Sequence, residues 1–202
     1  MTHKKDFSSG TKTAGAARLL RIITAPPFMT GALLIVLGIT RKDLFSDTYS
    51  MVAAWIGLVI LPLMAYPLQR FIPGFKDKGR EGQRNLAFVF TLIGYTCCFI
   101  YSLINAEGAF RMFFGVYFFT IVILCVLNRL VHVRASGHSA SAVSPFVFSA
   151  VYVNTAAAVC FAIMFALSIW SSLYSKRHRP SELLAGAVSF TAAFLTAYMI
   201  MK

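Results

Sequence analysis

Charge is what this chain has least of. Only 13% of its 202 residues are Asp, Glu, Lys or Arg, where a soluble domain carries roughly 25%. Acidic residues are the scarcest, 7 against 19 Lys and Arg, for a formal net charge of +12. With so few carboxylates, and with His3, His132, His138 and His178 at no ligand-like spacing, a metal centre is not expected, nor any cofactor. Cys97, Cys98, Cys125 and Cys160 all lie in apolar runs and form no C-x-x-C pair, so they read as small buried hydrophobes. The G-x-x-x-x-G-K-[ST] phosphate loop is absent. No basic helix or aromatic-and-basic platform marks a nucleic-acid binder. Period-2 alternation is missing too, which excludes a membrane β-barrel.

What is present is apolar. Hydrophobic residues make up 58% of the chain, and mean hydropathy is +0.71. Runs at 22–40, 51–68, 85–104, 112–128 and 183–201 each approach the ~20 residues that cross ~30 Å of hydrocarbon. The stretch 139–175 has no charge and is too long for one span, so it is expected to turn near Val153-Asn154-Thr155. Pro26-Pro27 should break the first run near its start, and Pro62 and Pro67 should kink or end the second. The expected fold is therefore all-α: a polytopic integral membrane helical bundle of six or seven transmembrane helices. Residues 1–21 read as a basic N-terminal tail and 22–202 as one membrane domain.

With alternating spans, 15 of the 19 basic residues fall on one side, leaving Arg41, Lys42, Arg111 and Lys202 on the other. The positive-inside rule puts the basic side in the cytoplasm. Excess positive charge also suits anionic headgroups or an anionic substrate.

Three loops on the basic side carry the polar chemistry: "GFKDKGREGQRN" (74–85), "RASGHSAS" (134–141) and "SSLYSKRHRPSELLAG" (171–186). In the third, His178 and Glu182 are four apart, and Pro180 suits the first turn of a helix. On a helix start, Glu182 can hold one ring nitrogen of His178 and leave the other basic. A solvated turn with an interfacial histidine fits the same residues. In the second loop, Ser136 can cap a helix whose exposed N–H groups suit an anion, with His138 as an acid. An ordinary cap with a surface histidine is the plain alternative. The first loop is either a topology signal or a phosphate-gathering lid.

Together these loops resemble the type 2 phosphatidic acid phosphatase superfamily, membrane lipid phosphatases related to vanadium haloperoxidases. The family's P-S-G-H reads Ala135-Ser136-Gly137-His138 here. Its S-R-x-x-x-x-x-H-x-x-x-D reads Ser171, Ser172, five residues, His178, three residues, Glu182, followed by Gly186. Its K-x-x-x-x-x-x-R-P is loosely matched: Arg84-Asn85 stands at the R-P end, and Lys76 and Lys78 flank the lysine position at Asp77. Ser172 stands where the family has an arginine that grips the phosphate, and Glu182 stands for aspartate.

The resemblance implies two-step, metal-free hydrolysis of a lipid phosphate or diphosphate of the phosphatidate, phosphatidylglycerophosphate or polyprenyl diphosphate type. His178 would be the nucleophile, Glu182 its orienting partner and His138 the proton donor. Ser136, Gly137, Lys78, Arg84, Lys176 and Arg177 would bind the phosphate. The expected location is a bacterial cytoplasmic membrane, among membrane lipids. The charge count puts the site on the cytoplasmic face, whereas the resemblance implies the outer face. A lipid phosphotransferase, or a lipid-phosphate-binding protein without chemistry, would use the same scaffold. A small transporter is disfavoured, because the spans hold no ionisable residue at mid-depth.

Overall fold

A computed structural model describes residues 7–44, 48–105 and 108–201, with side chains from residue 13 onward. The first six residues of the expected tail, with Lys4 and Lys5, lie outside the described residues, as do Lys202 and the side chain of Lys12. Every regular element among the described residues is helical. In chain order they are α1 (Phe7–Ile23), α2 (Pro26–Thr40), α3 (Thr48–Ala54), α4 (Leu61–Leu68), α5 (Gly79–Asn105), α6 (Gly108–Cys125), α7 (Gly137–Tyr152), α8 (Thr155–Tyr174) and α9 (Pro180–Met201). The chain is a helical membrane bundle. Five rods are long and apolar enough to cross a bilayer, and a sixth is so if the bent α1–α2 pair counts as one. At 16 residues, α7 falls short of that length.

Two boundaries differ from expectation, and the break at the Pro-Pro pair does not. Most of the expected tail is helix, because α1 runs from Phe7 to Ile23. The break comes at Ala25 and Pro26, where α1 and α2 meet at 58°. Pro26 and Pro27 open α2, where a missing N–H costs nothing. Nor do Pro62 and Pro67 end the second span, for Thr48–Phe71 is continuous. A wide π-helical segment, Trp55–Ile60, precedes Pro62 and absorbs its missing donor. After Pro67 the rod tightens into a 3₁₀ turn, Gln69–Phe71.

The turn between α7 and α8 falls where expected. Asn154 is extended, and its side chain accepts from the Ala157 N–H at 2.8 Å, which starts α8.

The core lies around α6, the most enclosed of the spans. Phe110, Phe113, Phe114 and Tyr117 of α6 stack edge-on with one another and reach Phe148 of α7. Edge-to-face rings suit the aromatic quadrupole. In turn α7 is rich in Ser and Ala, and Ala140, Ala142, Ser144 and Ser149 are buried. Small residues let helices approach closely in lipid, where packing rather than water drives association. Ser144 bonds the Tyr117 hydroxyl at 3.0 Å, so both buried groups are satisfied. α2 lies beside α7 and is tied to it at both ends. Thr24 meets His138 at one end, and the Arg41 guanidinium caps the Tyr152 carbonyl at the other.

The Thr48–Phe71 rod crosses α5 at a pair of glycines. A Cβ on Gly94 would overlap the Gly57 carbonyl oxygen, and one on Gly57 would overlap Cys98 Sγ. Gly94→Ala should therefore cost about 1–3 kcal/mol, because backbone must move. Gly115→Ala should cost less, since the added methyl meets only the mobile end of Met201. Thermal unfolding of both variants in the same detergent checks the order.

Candidate functional site

The site is built where α7 and α9 begin side by side. Asn128 sets the approach to α7. Its amide donates to the carbonyls of Leu124 at 2.8 Å and Ala135 at 3.1 Å, and its oxygen accepts from the Ala135 N–H at 3.1 Å. This one side chain holds the turn through His132, whose φ of 58° lies in the left-handed region. Ser136 then caps α7, its hydroxyl accepting from the Ser139 N–H at 3.3 Å. The N–H groups of Gly137 and His138 open the helix and form the positive end of its dipole.

The start of α9 follows the same logic. Arg179 offers its carbonyl to the N–H groups of Glu182 and Leu183, and Pro180 is the first helical residue. One helical turn separates His178 from Glu182, and His178 Nδ1 lies 2.8 Å from Glu182 Oε2. The other carboxylate oxygen faces Arg134 Nε at 3.6 Å. Glu182 is 8% exposed, whereas Arg134 is largely in solvent, so the imidazole contact is the stronger restraint. Bound through Nδ1, His178 has no hydrogen-bond partner at Nε2 among the described residues.

Backbone contacts join the two helix starts. The Ser136 N–H donates to the Glu182 carbonyl at 2.9 Å, and Ser139 Oγ donates to the Leu183 carbonyl at 2.7 Å. Gly186 makes this possible, since a Cβ there would overlap the Ser136 carbonyl. The "SGH" turn and the "HRPSELLAG" helix start are thus one structural unit.

The half-buried His138 has its Nε2 3.3 Å from Thr24 Oγ1. Thr24 gives its single hydroxyl proton to the Leu20 carbonyl at 2.9 Å. The ring must then be the donor, which leaves Nδ1 as the basic nitrogen. Burial, first, and the charges of His178 and Arg21 push the His138 pKa down to about 4. At neutral pH His138 is therefore uncharged in the resting site.

Of the expected site residues, the structure joins Ser136, Gly137, His138, His178 and Glu182 in this unit. Arg177 lies beside them, its N–H on the Ser172 carbonyl at 3.1 Å. Ser172 itself is buried at the end of α8. Lys176 is exposed, in a left-handed turn with φ 50°. Lys78 and Arg84 are exposed as well, and among the described contacts neither meets a histidine or Glu182. The 74–85 loop is represented instead by Arg80, whose charge acts on Arg21.

Sequence reasoning passed over Asn128, Thr24, Arg134 and Arg21 as site residues. For Thr24 and Arg21 the signal was there, in the i, i+3, i+4, i+7 row Ala17, Leu20, Arg21, Thr24 before the Pro-Pro break. Among the described residues no three His, Cys, Asp or Glu side chains gather as a metal would need. No family model, no curated protein and no solved structure matches this chain.

The lowered His138 pKa makes a prediction about stability. Between its ordinary 6.5 and about 4, the unfolded chain binds a proton that the folded chain refuses. This contribution is complete above pH 6.5 and is lost as pH falls toward about 4. Thermal unfolding of wild type against His138→Asn should show the variant losing less stability over that window.

Proposed function

We propose that this protein is an integral membrane phosphatase acting on a lipid phosphate or diphosphate through a phosphohistidine, in a bacterial cytoplasmic membrane. The observation that carries the reading is the His178–Glu182 pair, with Nε2 unpartnered among the described residues, beside the capped start of α7 that bears His138. In this reading the phosphate sits against the Gly137 and His138 amides and the cations around Arg177, at the interface. The hydrocarbon stays in the bilayer.

The chemistry follows from the tautomers. Glu182 holds the Nδ1–H of His178 and stabilises the positive charge that develops on the ring. The lone pair on Nε2 attacks phosphorus, forming an N–P bond as the P–O bond to the leaving group breaks. The arriving phosphate brings negative charge beside His138, which offsets the repulsion from Arg21 and favours protonation of Nδ1. Protonated His138 then donates to the leaving oxygen. In the second step neutral His138 takes a proton from water, whose oxygen joins phosphorus as the N–P bond breaks. Helix amides and guanidinium groups stabilise the equatorial oxygens throughout.

A second reading, a lipid-phosphate-binding protein without turnover, is favoured by one observation: α8 supplies Ser172 rather than a cation at its end. A phosphotransferase differs only in the acceptor and would yield a new phosphoester in place of free phosphate.

Phosphate release from phosphatidate in detergent micelles separates these readings. His178→Ala should lower the rate on the order of 10³-fold or more, and Glu182→Gln about 10- to 100-fold. Acid-labile phosphate should appear on rapidly quenched wild type and not on His178→Ala. Equal rates for wild type and His178→Ala would rule out the nucleophile.

A further inference from the structure

The inner face of α1 carries an arginine in a setting that calls for an anion. Ala17 and Thr24 are 1% and 0% exposed, and Leu20 and Arg21 lie between them on the same stripe. Arg21 is therefore turned inward and half-buried, less than one turn from the threonine that touches His138. Arg177, Arg80 and Arg18, all exposed, repel it, and Tyr66 offsets part of that repulsion. The three arginines come from three places in the chain: the turn before α9, the start of α5 and α1 itself.

Nothing described neutralises this group. The carboxylates in ion pairs among the described residues are Asp43, with Arg41, and Glu182, with Arg134 and His178. Like charges gathered without a counter-ion repel one another, and most strongly where water is partly excluded. Such a cluster is favourable when an anion completes it, and guanidinium forks match phosphate oxygens two at a time.

On the opposite face of the same elbow the chain is apolar. Ile22, Ile23, Phe28 and Met29 face Phe161 and Met164 of α8 across a groove of about 340 Å³. Ile22, Ile23 and Phe28 are exposed there, so this face of the elbow meets the bilayer hydrocarbon.

We propose that Arg21 is the principal phosphate-binding guanidinium of this protein, and that its ligand is a phosphate group carried on a hydrocarbon chain. This rests on the reading of the His138–His178 region as a phosphate site and adds to it a residue from a different helix. Arg177 and Arg80 add positive charge to the same region.

Binding, rather than turnover, tests it. The protein in phosphatidylcholine nanodiscs is titrated with inorganic phosphate, and separately prepared with increasing phosphatidate, in wild type and in the His178→Ala background. Arg21→Ala should raise the Kd for both probes by about 10- to 100-fold. Arg21→Lys should recover only part of the loss, because it keeps the charge without the fork. Lys42→Ala, which removes the same charge on the opposite face, should change neither. Loss for inorganic phosphate alone would overturn the hydrocarbon-borne ligand and keep the anion site. Loss for phosphatidate alone would support a lipid-specific site. Unchanged affinity for both in Arg21→Ala would overturn the proposal, whatever His178→Ala does to phosphate release. Wild type without phosphatase activity, but with binding that depends on Arg21, would sink the proposed reaction and leave the binding site standing.

Discussion

The crossing of α7 and α9 is the constraint on which the rest of the site depends. Glycine at 186 lets the backbone of Ser136 come into contact with α9. At that distance the Ser136 N–H finds the Glu182 carbonyl, and Ser139 finds that of Leu183. Two helix starts are thereby locked together with their dipoles side by side. Their exposed amides, and the imidazoles carried on each, cannot drift apart without breaking buried hydrogen bonds. The His178–Glu182 contact adds orientation to a frame that the backbone has already set.

Little of this bundle is held by ion pairs. The basic face carries many cations and Glu182 as its one buried carboxylate among the described residues. Cohesion comes instead from the aromatic cluster of α6 and from the close approach that Ser, Ala and Gly permit on α5, α7 and α9. That division suits a site for anions. The apolar body supplies rigidity, and apart from Arg134 with Glu182 the described ion pairs use none of the cations on this rim.

What the sequence disclosed followed from how local each signal was. The spans showed in hydropathy, and the break at Asn154 in the length limit of an uncharged run. The cap at Ser136, the start at Pro180 and the His178–Glu182 pair depend only on neighbours within one turn, so spacing alone placed them. The contact of residue 136 with residue 186 had no local signature; alternating spans put the two loops on one face and no more. The family resemblance favoured Lys78 and Arg84, which the fold leaves exposed, while Arg80 is nearer to the cluster. Arg21 was hidden for another reason. A basic tail and an inward-facing helix have similar composition, and the short row Ala17, Leu20, Arg21, Thr24 was the one sign of a covered face. The prolines misled in the opposite direction, because a π-helical segment can take up a missing donor without ending a span.

The elbow also bears on how the protein is made. Arg21 and Thr24 are synthesised first, Ser136 and His138 much later, and His178 and Glu182 only as α9 is threaded into place. During insertion, α1 must wait at the membrane surface with an uncompensated guanidinium and a threonine that has no imidazole to meet. Anionic headgroups are the natural company for it in that interval. In the proposed function, phosphate chemistry could therefore not begin on a partly inserted chain, since the site needs α1, α7 and α9 together.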